Sequence, residues 1–165
     1  MGKLVVVKGD PVSGTDKHNV TGLAIPPPPN SPYTGVGDFA YNGAITGQLS
    51  DFVTIGAVPV ALVTSRSTLN TGEDIPPAGK HSGPQGTNFF PSTPAPDTST
   101  GPPFLSITDT PLGTGVPNAG AGSALLTVGG VKVLLDADEI DTCSGVGAKA
   151  GSTVTAQGQG FVTTD

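Results

Sequence analysis

Apolar residues of this chain are collected in four short runs, separated by polar, glycine-rich or proline-rich stretches. The runs are rich in Val, Ile, Leu and Thr and cover residues 4–7, 52–63, 124–135 and 152–164. Short runs of β-branched residues bounded by Gly and Pro are typical of β-strands. Gly and Pro recur too often along the rest of the chain for a packed helix. The pattern therefore predicts an all-β or nearly all-β domain with long irregular loops.

Two of these runs resemble each other. FVTIGAVPVALV (52–63) aligns with LLTVGGVKVLLD (125–136), with an apolar pair, Thr, a branched residue and Gly at matching positions. A weaker third copy, AGSTVTAQGQGF (150–161), aligns with AGSALLTVGGVKV (121–133) through Ala-Gly-Ser and an alternating strand. The copies predict β-hairpins, or strands with a sharp Gly bend, in units that begin near residues 45, 122 and 150. Three such units packed around one axis would give a pseudo-threefold arrangement.

Two proline-rich stretches interrupt this repeat. Residues 24–35 contain four consecutive prolines and predict an extended polyproline segment. Residues 83–104 are polar, with Phe89, Phe90 and Phe104 as their large apolar side chains. Loops of this length either bind a ligand, wrap a surface or are plain surface insertions, and the sequence leaves these alternatives open. We expect one domain over residues 1–165 with the two loops inserted into it.

Composition and charge limit the possible partners and compartments. The 165 residues are long enough for a single modest core, although only 35% of them are hydrophobic. The net charge of −6, without a basic patch, argues against nucleic acid or an anionic membrane as the main partner. No apolar stretch has the form of a signal peptide or a spanning helix. The single Cys fits a reducing compartment, so we expect synthesis in the cytoplasm without a cleaved signal peptide.

The candidate chemistry rests on His18, His81 and Cys143, the only soft metal ligands of the chain apart from Met1. Their intervals along the chain are almost equal, both histidines follow a Lys, and each ligand precedes a Gly-containing stretch that predicts a turn. If each belongs to one unit of the repeat, the three side chains converge near the axis, where imidazole and thiolate would bind zinc. The fourth ligand stays open among Asp16, Asp141, a backbone carbonyl and water. An ordinary free thiol and two ordinary histidines are the alternative.

Other catalytic motifs are absent from the sequence. It contains no Gly-x-Ser-x-Gly elbow, phosphate-binding Gly loop or His-Glu-x-x-His pair. The acidic segment 136–141 lacks the Gly and Glu positions of a calcium loop. Glu73 and Glu139, the only glutamates, have no recognisable catalytic surroundings. The sequence therefore predicts a protein that is not an enzyme.

The three β units, with one His, His or Cys in each, resemble PAAR-repeat proteins, the pointed tips that cap the central spike of contractile injection systems and related phage tails. Most of the resemblance lies in VVVKGDPVSGTDKHNVTG (5–22) and LTVGGVKVLLDADEIDTCSGVGAKAGSTVTAQGQG (126–160). It implies a small pseudo-threefold cone of β-hairpins whose apex holds one structural zinc ion, with His18, His81 and Cys143 at the ligand positions. It also implies that the broad end of the cone caps a trimeric (VgrG-like) spike protein, one tip per trimer.

Under this resemblance, strand ends and apolar side chains of the 52–63, 125–135 and 153–163 runs would face the spike. The protein would be assembled into an injection particle, which can be extracellular, would contact the target envelope transiently, and could bind effector cargo. The chain departs from the family because it lacks the Pro-Ala-Ala-Arg tetrapeptide and offers three soft ligands where four are common. The absence of a further domain after the third unit favours a plain tip over one fused to a toxin.

Two other functions remain open from the sequence. The first is a β-rich binding module whose Pro-rich loops form the recognition surface and which binds no metal. The second is a small zinc hydrolase with an open coordination position, which ranks last because an apex offers neither a cleft nor a positioned base.

Overall fold

The computed structural model describes residues 2–25, 31–70, 86–98, 105–108, 114–142 and 150–164. These ranges contain fourteen β-strands and no helix, which confirms the prediction of an all-β chain. It follows that no helix long and apolar enough to cross a membrane occurs in these ranges. In chain order the strands are β1 (Lys3–Leu4), β2 (Pro11–Leu23), β3 (Pro32–Gly47), β4 (Thr54–Ile55), β5 (Val58–Pro59), β6 (Arg66–Leu69), β7 (Thr87–Phe90), β8 (Ser106–Ile107), β9 (Thr114–Pro117), β10 (Thr127–Val128), β11 (Val131–Lys132), β12 (Glu139–Thr142), β13 (Ala150–Val154) and β14 (Thr163–Thr164).

Six of the strands close into an antiparallel ring. β2 pairs with β3, β3 with β6, β6 with β9, β9 with β12, β12 with β13, and β13 with β2. A closed ring satisfies the backbone groups on both sides of each strand, which removes the open edges of a flat sheet. Side chains alternate between interior and solvent along these strands, so that the odd-numbered positions from Phe39 to Ile45 of β3 are buried.

β2 and β3 continue beyond the ring as a long hairpin. They stay paired from Pro11↔Ala44 to Leu23↔Pro32, and β8 and β7 pair with their outer edges. Residues 18–22, which the sequence predicted as a Gly-containing turn, therefore lie in the middle of β2, and that prediction is wrong. Continuous pairing with β3 provides the backbone hydrogen bonds there, and it overrides the local preference of glycine for turns.

Parts of both predicted Pro-rich loops are strands. β3 already begins at Pro32, inside the predicted loop 24–35, and β7 lies inside the predicted loop 83–104. The cause is packing, since the Phe89 ring of β7 lies edge-on to Tyr33 and packs on the cluster under the long hairpin. Residues 26–30, 83–85 and 99–104, including the prolines 26–29 and Phe104, lie outside the described ranges.

One turn geometry occurs three times, each time just before a ring strand. The turns are Val7–Asp10 before β2, Leu62–Ser65 before β6 and Leu135–Asp138 before β12. In each, the backbone N–H of the fourth residue donates to the carbonyl of the first. The side-chain oxygen of the fourth residue also accepts the N–H of the first, at 2.8, 2.9 and 2.8 Å respectively. Asp and Ser are the residues that close turns in this way.

The segments that lead into these turns meet at the centre of the molecule in a cycle of hydrogen bonds. Val6 N–H donates to the Leu134 carbonyl at 3.0 Å, Leu134 to Ala61 at 3.0 Å, and Ala61 to Val6 at 2.9 Å. All three side chains are buried in the core of the ring. Three stretches that are far apart in sequence thus occupy equivalent positions around one line.

Each of these segments is preceded by a small two-stranded pair. β4 pairs with β5 around Gly56 and Ala57, and β10 pairs with β11 around Gly129 and Gly130, with positive φ at all four turn residues. Positive φ at both positions is the geometry of the tight turns typical of β-hairpins. The alignment of 52–63 with 125–136 had predicted both hairpins.

The third pair differs from its prediction. The sequence placed a third hairpin within 150–161, but β13 pairs there with β12 and β2 of the ring. The counterpart of the two hairpins is instead the pair of β1 with β14, in which Lys3 lies opposite Thr164 and Leu4 opposite Thr163. We call the surface formed by β4–β5, β10–β11 and β1–β14 the base layer.

Three apolar clusters fill the described part of the molecule. The cluster under the base layer is built from valines and other aliphatic residues near the three pairs. The central cluster lies inside the ring and includes Tyr41, Leu134 and Ile140. The third lies under the long β2–β3 hairpin and includes Val20, Phe39 and Ile107. The interior between the central and third clusters contains Asp16 and His18.

Candidate functional site

Asp16 and His18 lie together on the interior face of β2, between two apolar clusters. Their side chains alternate with Lys17 along the strand, and both are completely buried. The His18 Nε2 atom is 3.1 Å from Asp16 Oδ2, and the His18 ring packs edge-on against Phe39 with centroids 5.3 Å apart. Burying a carboxyl and an imidazole is costly unless each has polar partners. A pair of this kind in a small core therefore marks a candidate site.

The interior next to this pair is also polar. Tyr41 and Ser67 share a hydrogen bond between their hydroxyl groups at 3.0 Å, and Thr142 and Ser152 share one at 3.3 Å. These four side chains come from four ring strands and form a layer of hydroxyl groups just above the aliphatic core. Ser152 and Tyr41 lie opposite Gly14, two residues before Asp16 on β2, so hydroxyl groups of this layer lie next to the Asp16–His18 pair.

The structure places one of the three predicted metal ligands. His18 is buried in the interior, whereas His81 and Cys143 lie outside the described ranges, so their convergence with His18 stays a prediction. No group of three or more His, Cys, Asp or Glu side chains that could hold a metal occurs among the residues that the structure describes. The proposed site therefore depends on segments 71–85 and 143–149.

The repeat seen in the structure has its own intervals. The interval from Val6 to Ala61 is clearly shorter than the interval from Ala61 to Leu134. The two intervals between the predicted ligands are, by contrast, almost equal, so they are not the intervals of the structural repeat. Convergence of the ligands would have to come from the segments that contain His81 and Cys143, which lie outside the described ranges.

Two acidic residues were candidates for the fourth ligand, and they lie on opposite faces of their strands. Asp16 points into the interior beside His18, as described above. Asp141 alternates with the buried residues Ile140 and Thr142 of β12, so it lies on the outer face, where it accepts a hydrogen bond from Asn118 Nδ2 at 3.1 Å. Only Asp16 shares the interior with His18.

The Asp16–His18 geometry fits a metal site. Two ligand atoms on a tetrahedral zinc ion, each about 2.0–2.1 Å from the metal, lie about 3.3–3.4 Å apart. The observed 3.1 Å between Nε2 and Oδ2 is close to that separation. The same distance also suits a direct hydrogen bond, in which an N–H group at Nε2 donates to the carboxylate. Imidazole nitrogen and carboxylate oxygen are both ordinary zinc ligands, so the residues present fit the ion.

A second candidate site lies on the base layer. Phe52, Leu125 and Phe161 are 73%, 76% and 71% exposed, and each precedes a less exposed aliphatic residue that leads into a base-layer strand. The sequence runs 52–63, 125–135 and 153–163 contained all three residues, but the incorrect alignment of the third copy hid their equivalence. Aligning FVT (52–54), LLT (125–127) and FVT (161–163) would have revealed it.

Searches of protein-family models, of curated proteins and of solved structures find no match to this chain.

Proposed function

We propose that this chain is a structural tip protein, which caps the trimeric central spike of a contractile injection system and does no chemistry of its own. The three units, each with one of the turns Val7–Asp10, Leu62–Ser65 and Leu135–Asp138, would form the body of a pseudo-threefold cone. The base layer would be the broad end that contacts the spike, and the long β2–β3 hairpin would lie on the side of the apex. The resemblance to PAAR-repeat tips suggests this role, and the described residues support it independently.

The observation that carries the proposal is the cycle of hydrogen bonds between Val6, Ala61 and Leu134. It brings three different parts of one chain into equivalent positions around a single line. A monomer with that internal arrangement is suited to meet a homotrimer along a shared axis, because each unit can contact one partner chain in nearly the same way. A binding module without such a partner would have no need for three equivalent units.

Capping is tested by mixing the purified chain with its cognate trimeric spike protein. Light scattering coupled to gel filtration should show a complex of one tip per trimer. Failure to form any complex, with both components folded, would overturn the proposal. A complex with three tips per trimer, formed when the tip is in excess, would also contradict it. A cap on the axis of the trimer leaves room for one tip only.

We further propose that the apex holds one zinc ion, with His18, His81 and Cys143 as ligands and Asp16 as the fourth. Zinc bound there would join β2 to two distant segments and would stiffen the end of the molecule that meets the target envelope. Asp16 is preferred over Asp141 because only Asp16 faces the interior beside His18.

Elemental analysis of the purified chain tests the metal site. We expect about one zinc per chain, and less than half of that in the His81→Ala and Asp16→Asn variants. Asp141→Asn is the matched control, since it removes a carboxylate two positions before Cys143 but on the outer face. Wild-type protein without metal, or equal loss in Asp141→Asn, would refute the proposed ligand set.

A binding module is the second candidate function. Ile25, in the first stretch predicted as a Pro-rich loop, is 48% exposed. Exposed apolar side chains in loops are typical of recognition surfaces. This candidate predicts that the chain binds a ligand that protects 24–35 and 83–104 from proteolysis, and that the isolated chain contains no zinc.

A further inference from the structure

The base layer presents three apolar side chains on the same local framework. The backbone N–H of Phe52 and of Val53 donate to Ser50 Oγ at 3.4 and 2.9 Å. In the second unit Ser123 Oγ accepts from Leu125 and Leu126 at 3.1 and 2.9 Å. In the third unit Gln159 Oε1 accepts from Phe161 and Val162 at 2.9 and 2.7 Å.

The backbone that follows each of these residues is also held in the same way. The carbonyls of Val53, Leu126 and Val162 accept the N–H of Val60, Val133 and Val5, at 3.1, 3.1 and 3.0 Å. The side chains of Val53 and Val162 pack against the cluster under the base layer, whereas Leu126 is partly exposed, at 38%. The preceding side chains, by contrast, project from a fixed backbone into solvent.

This exposure is not scattered over the surface. Of the seven large apolar side chains that are exposed among the described residues, Phe52, Leu125, Leu126 and Phe161 lie just before the base-layer strands β4, β10 and β14. Single exposed apolar residues are common on any protein and need no explanation. The same exposure at three structurally equivalent positions indicates a surface that another molecule covers.

We propose that Phe52, Leu125 and Phe161 are three equivalent docking anchors, which enter three identical apolar pockets, one on each chain of a homotrimeric partner. The inference rests on the proposed capping function and names the contact by which it occurs. The partner's end surface would carry one pocket per chain, arranged around its axis, each of a size that admits a phenyl ring.

The charges near the anchors differ between the three units, which supports docking through apolar rather than charged side chains. The residues just before the anchors are Asp51, Ala124 and Gly160, so charge is present in one unit out of three. The residues that pair with Thr163, Thr54 and Thr127 across each base-layer pair are Leu4, Pro59 and Lys132. These also differ in charge. A true trimer offers the same surroundings three times. It can therefore match the three apolar anchors, whereas it cannot match charges that occur once.

Identical pockets and unequal anchors lead to a prediction about size. Two anchors are Phe and one is Leu, so the pocket that receives Leu125 is filled less completely than the other two. Leu125→Phe should then tighten binding, by about tenfold if one phenyl-sized pocket is completed. Phe52→Ala and Phe161→Ala should each weaken it by about 30-fold or more, as removal of a buried aromatic anchor does.

The test is a binding titration of each variant against the cognate trimeric spike protein. Phe90→Ala is the matched control, because Phe90 is equally exposed (77%) but lies on β7, which pairs with the long hairpin and not with the base layer. It should bind like the wild type. Because all four positions are exposed, the variants should keep the wild-type urea midpoint, which checks that lost binding is not lost folding.

The outcomes separate the two proposals. If the wild type binds the spike and the anchor variants bind equally well, the anchors are refuted while capping stands. If Leu125→Phe weakens binding, the pockets are not identical and the inference fails in that form. If the wild type does not bind at all, capping fails and the anchors fail with it. If the isolated chain self-associates through Phe52 and Phe161, a second copy covers the base layer, which also overturns the proposal.

Discussion

Asp10 joins the first turn to Gln157 and Gly158, near the other end of the chain. Its side chain is buried, and Oδ2 accepts the N–H of Val7 at 2.8 Å. Oδ1 accepts the N–H of Gln157 at 2.9 Å and of Gly158 at 2.6 Å. Asp10→Ala would leave these three backbone donors without that acceptor. We therefore expect a large loss of stability from one substitution.

The magnitude follows from the surroundings of the three donors. The Val7 N–H is buried, and a buried donor without a partner costs about 1–3 kcal/mol. The Gln157 and Gly158 donors are partly exposed, so water would replace part of each bond, and about 1 kcal/mol is lost at each. The free energy of unfolding should fall by about 4 kcal/mol, which for a domain of this size lowers Tm by about 8–16 °C.

Urea unfolding followed by far-UV circular dichroism measures this change. Ser65→Ala is the matched control, because Ser65 holds the equivalent turn position but its Oγ accepts a single N–H, from Leu62 at 2.9 Å, and donates to the Gln48 carbonyl. It should cost about 1–2 kcal/mol. If Asp10→Ala lost no more free energy than Ser65→Ala, the account of Asp10 as a clamp between distant segments would be wrong.

Two further predictions concern pH and the chain ends. Burial raises the pKa of Tyr33, whose hydroxyl donates to the Pro91 carbonyl at 2.9 Å. The unfolded chain therefore loses this proton first, so stability should fall above about pH 10, by up to about 1.4 kcal/mol per pH unit. Tyr33→Phe should reduce that fall in urea titrations on either side of this pH, and an unchanged slope would contradict the assignment. A circular permutant that joins Thr164 to Lys3 through Gly-Gly and opens between Gly129 and Gly130 should keep the fold, because β14 and β1 are already paired. Loss of a cooperative unfolding transition in the permutant would contradict the pairing.

The candidate site could be predicted in part. Residue type, the near-equal intervals and the matching flanks selected His18, and its place two positions after Asp16 would put both on one face of a strand. The sequence instead predicted a turn after His18, since Asn19 and Gly22 favour turns. That prediction failed because β3 pairs with β2 over its whole length, and strand pairing of that kind is set by residues far away in sequence. The common interior of Asp16 and His18 is therefore visible only in the folded chain.

The sequence by itself determined the all-β class and the two local hairpins. Gly56-Ala57 and Gly129-Gly130 adopt the positive φ of a tight turn, and the flanking branched residues pair directly across it. Signals of this kind act between neighbours in the chain, so they can be recognised in a single sequence.

Only the tertiary structure decided how the third unit is built. β1 and β14 replace the missing hairpin, although Lys3 and Thr164 lie at opposite ends of the chain, and no local turn signal connects them. The cycle between Val6, Ala61 and Leu134 and the equivalence of Phe52, Leu125 and Phe161 likewise relate segments that are far apart in the sequence. Pairing between distant segments is selected by the total burial and hydrogen bonding of the folded chain, which no short stretch of sequence contains.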